Sequence, residues 1–269
     1  MKRLIINNMN ALPYAAEEAM NRLRVNFGLC GKQYKKVLVT SSVPNEGKSF
    51  VSMNLWRLLS EAGNKVILLD ADIRKSVIRN RYQIVSDDSN PVGLAYYLSG
   101  QAELEDVIYA TNIRNGFIVP TFHTVTNPAI LLQNERFSTM LDRLASVSDY
   151  VLIDTPPLTN VSDGGLIASY CDGALLVVRS GVTPRSLIAD SIKQLEYANC
   201  KLLGTVLNRV EKKQGAYYSK YSRYGYGYGY GYGYGNEDKR GRKKHKLLKS
   251  AKPGGASSGK TGTTPPAKD

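Results

Sequence analysis

KVLVTSSVPNEGKS, residues 36–49, decides the fold, because an apolar, β-branched run passes directly into a loop that ends in Gly-Lys-Ser. A stretch of helical periodicity follows over 47–62. The order strand, loop, helix predicts a P-loop, whose backbone N–H groups and positive helix end surround phosphate groups. Lys48 would neutralise the β and γ phosphates of a nucleoside triphosphate, and the Ser49 hydroxyl would ligate Mg²⁺. The predicted nucleotide-binding residues here are Pro44, Asn45, Glu46, Gly47, Lys48, Ser49 and Phe50.

A second segment also matches the P-loop pattern. SSVPNEGKS departs from the formal pattern because Ser42 stands where the first glycine is expected, whereas GGASSGKT, residues 254–261, fits it better. The second copy lies in a stretch rich in Gly, Ser and Pro, with no strand before it and no helix after it. Context therefore favours the first copy, and the second is not expected to bind nucleotide.

The rest of the chain up to residue 210 alternates between short apolar runs and helical periodicity, as a parallel sheet with crossover helices requires. The runs are nearly continuous in apolar residues, which predicts strands buried on both faces. This pattern predicts a doubly wound α/β domain with a mostly parallel sheet, in which ligands bind at the carboxyl ends of strands. The predicted strands are 36–40, 65–70, 116–120, 150–154, 173–179 and 202–208, and the main predicted helices are 47–62, 128–146 and 184–198.

Three aspartates stand at predicted strand ends. Asp70 and Asp72 close the run in LLDADIR, and Asp154 closes YVLIDTPP. Aspartate after a strand is commonly a helix cap, but three of them beside one phosphate loop favour a metal site. Mg²⁺ keeps several waters, so a hydroxyl, one or two carboxylates and phosphate oxygens suffice. A remaining carboxylate would be free to act as a base.

The net charge of +13 is concentrated at the C-terminal end. Residues 236–269 contain ten Lys/Arg and three Asp/Glu, for +7, and residues 211–235 contain four and one, for +3, which leaves about +3 for the rest. A basic run such as KRGRKKHK, residues 239–246, can contact acidic lipid or nucleic acid, but it is more typical of a solvated tail. Composition therefore predicts a disordered C-terminal tail.

The compartment is predicted from cysteines and apolar segments. The three cysteines are far apart and odd in number, which argues against a disulfide framework and favours a reducing, cytoplasmic environment. No signal peptide and no apolar run of spanning length is found, so we expect a chain that neither exports nor inserts itself.

Several motifs together resemble one family. SSVPNEGKS, VILLDADIRKS (66–76), GLAYYLSG (93–100), TNPAILLQNERF (126–137) and YVLIDTPP (150–157) occur in this order before a tyrosine cluster. This set resembles the bacterial tyrosine kinases, or BY-kinases, in the cytoplasmic form that works with capsule and exopolysaccharide machinery. The resemblance runs from about Ala16 to Asn208 and resumes at the cluster.

The resemblance implies roles for the site residues. ATP would be the phosphate donor, with Lys48 and Ser49 holding its phosphates and Mg²⁺. Asp72 and Asp154 would complete the metal shell, directly or through water. Asp70 would be the general base that takes the proton from an acceptor tyrosine, whose phenol has a reference pKa of about 10. Arg74 would support the same loop, and Asn208 matches a position that contacts adenine in relatives.

The expected acceptors lie in a tyrosine cluster just after the domain, where Tyr and Gly alternate. Glycine removes the side chains that would let the segment pack, so it can present one phenol after another. A low-complexity aromatic tail that aggregates or stacks on single-stranded nucleic acid is the alternative, but a phosphotransfer site in the same chain argues against nucleic acid. The predicted phosphoacceptors are Tyr217, Tyr218, Tyr221, Tyr224, Tyr226, Tyr228, Tyr230, Tyr232 and Tyr234.

The resemblance also implies partners. Family members form rings through a helix with a Glu-x-x-Arg-x-x-Arg pattern; in EEAMNRLRVNF, Glu18 and Arg24 fit this pattern but Asn21 does not. A homo-oligomer phosphorylating in trans, a membrane-embedded polysaccharide co-polymerase as activator, and a protein-tyrosine phosphatase are the expected partners, with recruitment to the inner face of the membrane. The predicted organisation is an N-terminal segment with the oligomerisation helix (1–35), a P-loop kinase domain (36–210), the tyrosine cluster (211–235) and a basic low-complexity tail (236–269).

Two other functions are compatible with parts of this sequence. A partitioning or positioning ATPase of the ParA/MinD type would share the fold and use the basic tail on DNA or membrane. That group carries a second P-loop lysine, where this chain has Val43. A non-catalytic ATP-binding regulator would have little use for Asp70, Asp72 and Asp154 beside nine acceptors.

Overall fold

The computed structural model describes residues 2–210. These residues form a nine-stranded sheet in the order β4-β1-β5-β6-β3-β7-β2-β8-β9. The strands are β1 (Arg3–Ile6), β2 (Lys36–Ser41), β3 (Val66–Asp70), β4 (Ile84–Ser86), β5 (Tyr109–Thr111), β6 (Gly116–Val119), β7 (Tyr150–Asp154), β8 (Gly173–Arg179) and β9 (Lys201–Asn208).

Helices pack on both faces of this sheet. They are α1 (Tyr14–Leu29), α2 (Lys48–Glu61), α3 (Ile78–Arg81), α4 (Leu94–Leu98), α5 (Leu104–Val107), α6 (Ala129–Leu132), α7 (Glu135–Val147), α8 (Asp163–Ala168) and α9 (Arg185–Tyr197). One core cluster lies between the sheet and α4 to α9, and another lies between the sheet and α1 to α3. Two covered faces explain the nearly continuous apolar runs of the central strands.

The sheet is mostly parallel, which confirms the doubly wound α/β prediction. The six strands β6, β3, β7, β2, β8 and β9 run parallel to one another, and β1 is parallel to β5, whereas β1 with β4 and β5 with β6 are antiparallel. The carboxyl ends of β2, β3 and β7 therefore meet at one edge of the sheet, where the P-loop begins. This edge positions the three aspartates that the sequence singled out, Asp70, Asp72 and Asp154.

Helix α2, which follows the P-loop, is fixed in position by close packing against the sheet. The Trp56 indole is fully buried and donates from Nε1 to the carbonyls of Val66 and Phe117 at 3.2 and 3.1 Å. Its ring lies against Gly116, where an added Cβ would be too close to the indole. An aromatic anchor with a satisfied N–H contributes both apolar burial and orientation.

The structure departs from the sequence predictions in three places. Strands β1, β4 and β5 were not predicted, because three or four residues are too few to show a period. The segment predicted as one helix over 128–146 is two helices, separated where the Asn134 side chain caps α7 by accepting from the Arg136 N–H. The prediction that every strand is buried on both faces is wrong for β9, which pairs only with β8 and is half-exposed along its length.

The N-terminal segment 1–35 contributes to the same fold as residues 36–210. Strand β1 pairs with β4 and β5, and α1 packs on α2, where Arg57 makes two hydrogen bonds of 2.9 Å to Glu17. Within residues 2–210, no helix has both the length and the apolar character needed to cross a bilayer.

Candidate active site

The P-loop ends against the last strand of the sheet. Gly47 precedes α2 with φ +100°, a region that favours glycine. A Cβ at this position would overlap the amide nitrogen of Asn208. That nitrogen donates to the Glu46 carbonyl at 2.8 Å, and the Asn208 Oδ1 accepts from the Arg209 N–H. Asn208 therefore contacts the loop backbone itself, and only glycine fits opposite it.

The Glu46 side chain accepts several hydrogen bonds inside the loop. It is 1% exposed, and its carboxylate accepts the N–H of Val43 at 2.8 Å, the N–H of Arg179 at 3.0 Å and the hydroxyl of Thr183. These contacts tie the P-loop to the end of β8 and to the turn before α9. The sequence assigned Glu46 to the nucleotide through the loop backbone, whereas its side chain organises the loop.

Lys48 lies among the predicted acidic residues. Its Nζ is 3.2 Å from Asp72 Oδ2, 3.7 Å from Asp154 Oδ2 and 3.3 Å from Ser49 Oγ. Burial opposes the charged form of Lys48, but the carboxylates of Asp154 and Asp72 outweigh it and raise the lysine pKa above its ordinary value. The ammonium group is therefore charged and placed to meet phosphate.

Asp154, at the end of β7, is held by two hydroxyls from α2. Ser49 donates to Oδ2 at 2.7 Å and Ser52 donates to Oδ1 at 2.9 Å. The side chain is almost fully buried, and this burial raises its pKa, although Lys48 and the two hydroxyls act in the opposite direction. Ser52 was not predicted, although its position three residues after Ser49, on the same helix face, is a usable signal.

Asp70 is the register partner of Asp154 on the neighbouring strand β3. It is 2% exposed, its Oδ2 accepts a hydrogen bond from the Ser76 hydroxyl, and its Oδ1 is buried without a hydrogen-bond partner. Burial raises the pKa of Asp70 to about 8; the nearby carboxylates of Asp154 and Asp72 add to this, and Ser76 and Lys48 oppose it. A buried carboxyl oxygen without a partner beside a cationic loop is able to accept a proton from an incoming group.

Arg74 does not point at Lys48. Its guanidinium makes two hydrogen bonds to Asp163, at the start of α8, and one of 2.8 Å to the Thr126 carbonyl. Asp163 was missed by sequence reasoning because no motif connects it to Arg74, 89 residues earlier. These contacts connect the loop after β3 to α8 and to the segment before α6.

The oxygen atoms around Lys48 fit a magnesium ion. Ser49, Asp72 and Asp154 present hydroxyl and carboxylate oxygens within reach of one ammonium group, and Mg²⁺ prefers such ligands together with water and phosphate. Within the described residues 2–210 there is no group of three or more His, Cys, Asp or Glu side chains arranged to hold a metal by themselves. The residues therefore fit an ion that keeps waters and shares phosphate oxygens.

The remaining predicted residues lie outside this cluster. The Phe50 side chain packs against the apolar cluster of Val39, Val51 and Val177, so only its backbone could face phosphate. On α1, Glu18 is exposed and Arg24 is half-buried. The predicted tyrosine acceptors and the second P-loop copy lie beyond residue 210, outside the described residues.

Known proteins share sequence and fold with this chain. A family model described as an AAA domain matches residues 43–181, over half of the chain. Tyrosine-protein kinase CpsD of Streptococcus agalactiae is 39% identical over 209 residues, covering 78% of this chain and 90% of that protein. The kinase domain of the Escherichia coli tyrosine kinase ETK superposes with a TM-score of 0.68 at 30% identity, covering 79% of this chain and 80% of that domain.

The fold is also shared with a positioning ATPase. The septum site-determining protein MinD from Pyrococcus horikoshii OT3, complexed with Mg-ADP, gives a TM-score of 0.57 at 26% identity, covering 67% of this chain and 72% of that one. Where the ParA/MinD pattern has its second P-loop lysine, this chain has Val43, whose N–H is used by Glu46.

Proposed function

The chain belongs to the bacterial tyrosine-protein kinases of the CpsD type, and we propose that its principal substrate is its own C-terminal tyrosine cluster. It is a P-loop protein-tyrosine kinase that binds ATP. The observation that carries the proposed phosphotransfer to tyrosine is the unpartnered, buried Oδ1 of Asp70 next to the cluster of Lys48, Asp72 and Asp154, and the alternating Tyr and Gly residues of the C-terminal cluster supply the acceptors. This arrangement combines a phosphate-binding cation with a group that can accept the proton of a tyrosine hydroxyl.

The donor side of the reaction uses the P-loop. Backbone N–H groups of residues 45–50, which include the start of α2, would surround the phosphates, and Lys48 would move its ammonium from Asp72 toward the γ-phosphate. Ser49 and Asp154 would hold Mg²⁺, with Asp72 completing the shell directly or through water. When bound, the metal supplies positive charge to the β and γ phosphates.

The acceptor side uses Asp70. A phenol has a reference pKa of about 10, and its proton must leave as the phosphoryl group arrives. A carboxyl group whose pKa is raised to about 8 by burial is better matched to this proton than an ordinary aspartate, because general bases act best when their pKa lies near the working pH. Asp70 would therefore accept the proton through its free Oδ1.

The position of the domain's last strand supports the tail as substrate. Asn208, at the end of β9, contacts the P-loop through Glu46, and the first predicted acceptor, Tyr217, is nine residues further along the chain. We propose that acceptors reach a neighbouring subunit's site in an oligomer, in which Glu18 and Arg24 on α1 contribute contacts. The functional division into segment 1–35, domain 36–210, cluster 211–235 and basic tail 236–269 is part of this proposal.

The proposed setting is capsule or exopolysaccharide synthesis at the inner face of the cell membrane. A membrane-embedded polysaccharide co-polymerase would stimulate the kinase, and a protein-tyrosine phosphatase would reverse its action. Each phosphate adds close to two negative charges, so a fully modified cluster would turn the basic C-terminal region strongly acidic. Contacts of that region with a partner would weaken accordingly.

Intact mass measured after incubation with Mg²⁺ and ATP tests the proposed substrate. The full chain is incubated with and without the cytoplasmic ends of the candidate membrane activator, and peptides are then mapped. Additions in multiples of about 80 Da confined to residues 217–234 are expected, and replacement of all nine cluster tyrosines by Phe should remove them while ATP binding remains. ATP turnover without any addition in either condition would contradict the proposal and favour a partitioning-type ATPase.

Transfer between subunits is tested by mixing two full-length variants. One carries Lys48→Met and keeps the tyrosines, and the other keeps Lys48 but carries Phe at the nine cluster positions. Phosphate on the first variant is expected if transfer is in trans. Its absence, together with normal labelling of the wild-type chain alone, would show transfer within one chain.

A further inference from the structure

The Arg74 guanidinium is fixed by a single buried carboxylate. Nε and Nη2 of Arg74 donate to the two oxygens of Asp163, the second at 3.1 Å, while Nη1 donates to the Thr126 carbonyl. The Asp163 side chain is 1% exposed and that of Arg74 is 32% exposed. A two-point pair of this kind sets the plane of the guanidinium as well as its position.

Arg74 stands in the middle of the loop that carries the acidic residues after β3. Directly after it, the Lys75 N–H donates to Asp72 Oδ1 at 3.1 Å. One residue further, the Ser76 hydroxyl donates to Asp70. Holding Arg74 in place therefore holds the backbone from which both aspartates are oriented.

Asp163 comes from a different part of the chain, the first turn of α8. The pair thus connects the loop after β3 to the segment after β7, and these strands end in the register partners Asp70 and Asp154. The P-loop has further supports, since the Glu46 carboxylate accepts hydrogen bonds from Arg179 of β8 and from Thr183 in the turn before α9, and Asn208 of β9 donates to the Glu46 carbonyl. The Arg74–Asp163 pair is therefore distinct from the contacts that Glu46 and Asn208 make with the P-loop, and the two loops meet at Lys48 and Asp72.

We propose that Asp163 is a positioning residue for phosphotransfer, which holds Asp70 and Asp72 in place through Arg74. This inference rests on the proposed function, because it takes Asp70 as the proton acceptor and Asp72 as part of the metal shell. Asp163 takes no part in the hydrogen bonds that Glu46 and Asn208 make in the P-loop. Its loss should therefore slow the chemical step and leave the binding of ATP nearly unchanged.

The test uses the full chain with Asp163→Asn, Arg74→Ala and the double variant. Autophosphorylation is followed at saturating ATP, and the KM for ATP is measured separately. Each single variant is expected to lower kcat roughly tenfold or more, since small misplacements of reacting groups cost this much, with a change in KM of less than about twofold. The double variant should be no slower than either single one, because both act through the same contact.

A matched control separates positioning from general destabilisation. Asp172→Asn removes a carboxylate that accepts the N–H groups of Lys35 and Lys36 at 2.9 and 2.7 Å, at the opposite edge of the sheet. It should lower the melting temperature while kcat, measured well below that temperature, stays unchanged. Full kcat for Asp163→Asn, or losses of kcat that follow the melting temperature equally in the Asp163 and Asp172 variants, would overturn the inference.

An Asp70→Asn arm distinguishes this inference from the proposed function. Full activity of Asp70→Asn would overturn the proposed role of Asp70 and, with it, the role of Asp163. An inactive Asp70→Asn together with a fully active Asp163→Asn would overturn the positioning role alone. Loss of kcat in both variants, with KM for ATP preserved in Asp163→Asn, supports both.

Discussion

Asp70 and Asp154 are register partners at the carboxyl ends of adjacent parallel strands, so two buried carboxyl groups face the P-loop from neighbouring positions. Their surroundings differ. Both carboxylate oxygens of Asp154 accept hydrogen bonds from serine hydroxyls of α2, whereas one oxygen of Asp70 has no hydrogen-bond partner. In the proposed function, these two environments give the same residue type two tasks, metal binding by Asp154 and proton acceptance by Asp70.

Replacement of Lys48 by Met is expected to abolish phosphotyrosine on the chain. The change removes the cation that contacts Asp72 and is placed to meet the γ-phosphate, and it leaves the carboxylates of Asp72 and Asp154 facing each other. Anti-phosphotyrosine blotting and intact mass after incubation with Mg²⁺ and ATP measure the result. Lys193→Met, on the exposed face of α9, is the control and should label normally; full labelling of the Lys48 variant would exclude the proposed site.

Asp70→Asn is expected to stabilise the metal-free, nucleotide-free protein while it removes activity. The pKa of Asp70 in the folded chain, about 8, lies above the ordinary value of 3.8, so the folded chain binds this proton more tightly than the unfolded chain does. The stabilisation by proton binding is therefore complete below about pH 4, and it is lost as the pH rises through 8. At pH 8 the Asn variant should exceed the wild type in free energy of unfolding by on the order of a few kcal/mol. Its stability should also change less between pH 5 and 9.

Denaturant unfolding at several pH values, in the presence of a chelator, measures this difference. The exposed Asp190 on α9 provides the control, because Asp190→Asn should leave the pH profile as it is in the wild type. If the free energy of unfolding changed with pH in the same way for Asp70→Asn and the wild type, Asp70 would not be a buried proton acceptor.

Gly47→Ala is expected to damage the P-loop by two separate effects. The backbone has φ +100°, and a methyl group would overlap the Asn208 amide. Gly63 has φ +97° with open space around it, so Gly63→Ala isolates the conformational cost, about 1–3 kcal/mol. Gly47→Ala should therefore lower the melting temperature further than Gly63→Ala and weaken the binding of an ATP analogue, which Gly63→Ala should not.

Adding Asn208→Ala to Gly47→Ala separates the two effects at the P-loop. The second change removes the overlap, so it should recover part of the lost stability but not the part due to φ. Equal melting temperatures for Gly47→Ala and Gly63→Ala would show that a methyl group at position 47 does not overlap the Asn208 amide.

The three cysteines of the chain are expected to differ in their reactivity toward thiol reagents. Cys171 and Cys200 are buried, and burial raises the pKa of Cys200 to about 12 and that of Cys171 well above its usual range. Because the thiolate is the reactive form, only Cys30, which is half-buried, should react with a thiol reagent in the native protein at pH 8. Peptide mapping identifies the labelled residue, and rapid labelling of Cys171 or Cys200 before unfolding would contradict the packing of α8 and β9.

The central fold follows from local sequence patterns, and the same patterns predict the residues of the candidate site. The P-loop and the three acidic strand ends are local patterns, in which neighbouring residues carry the information, and the apolar runs of β2, β3, β7 and β8 predict a buried parallel sheet. The carboxyl ends of parallel strands meet at one edge of the sheet, so the sequence predicts that Lys48, Ser49, Asp70, Asp72 and Asp154 lie close together.

Only the tertiary structure decided the contacts that orient these groups. Arg74 and Asp163 are 89 residues apart, and Asn208 meets the P-loop carbonyl of Glu46 across 162 residues. Such pairs depend on how loops and helices pack, and no local period or motif records them. The short strands at one end of the sheet escaped prediction for the same reason, because they are stabilised by their partners and not by their own sequence.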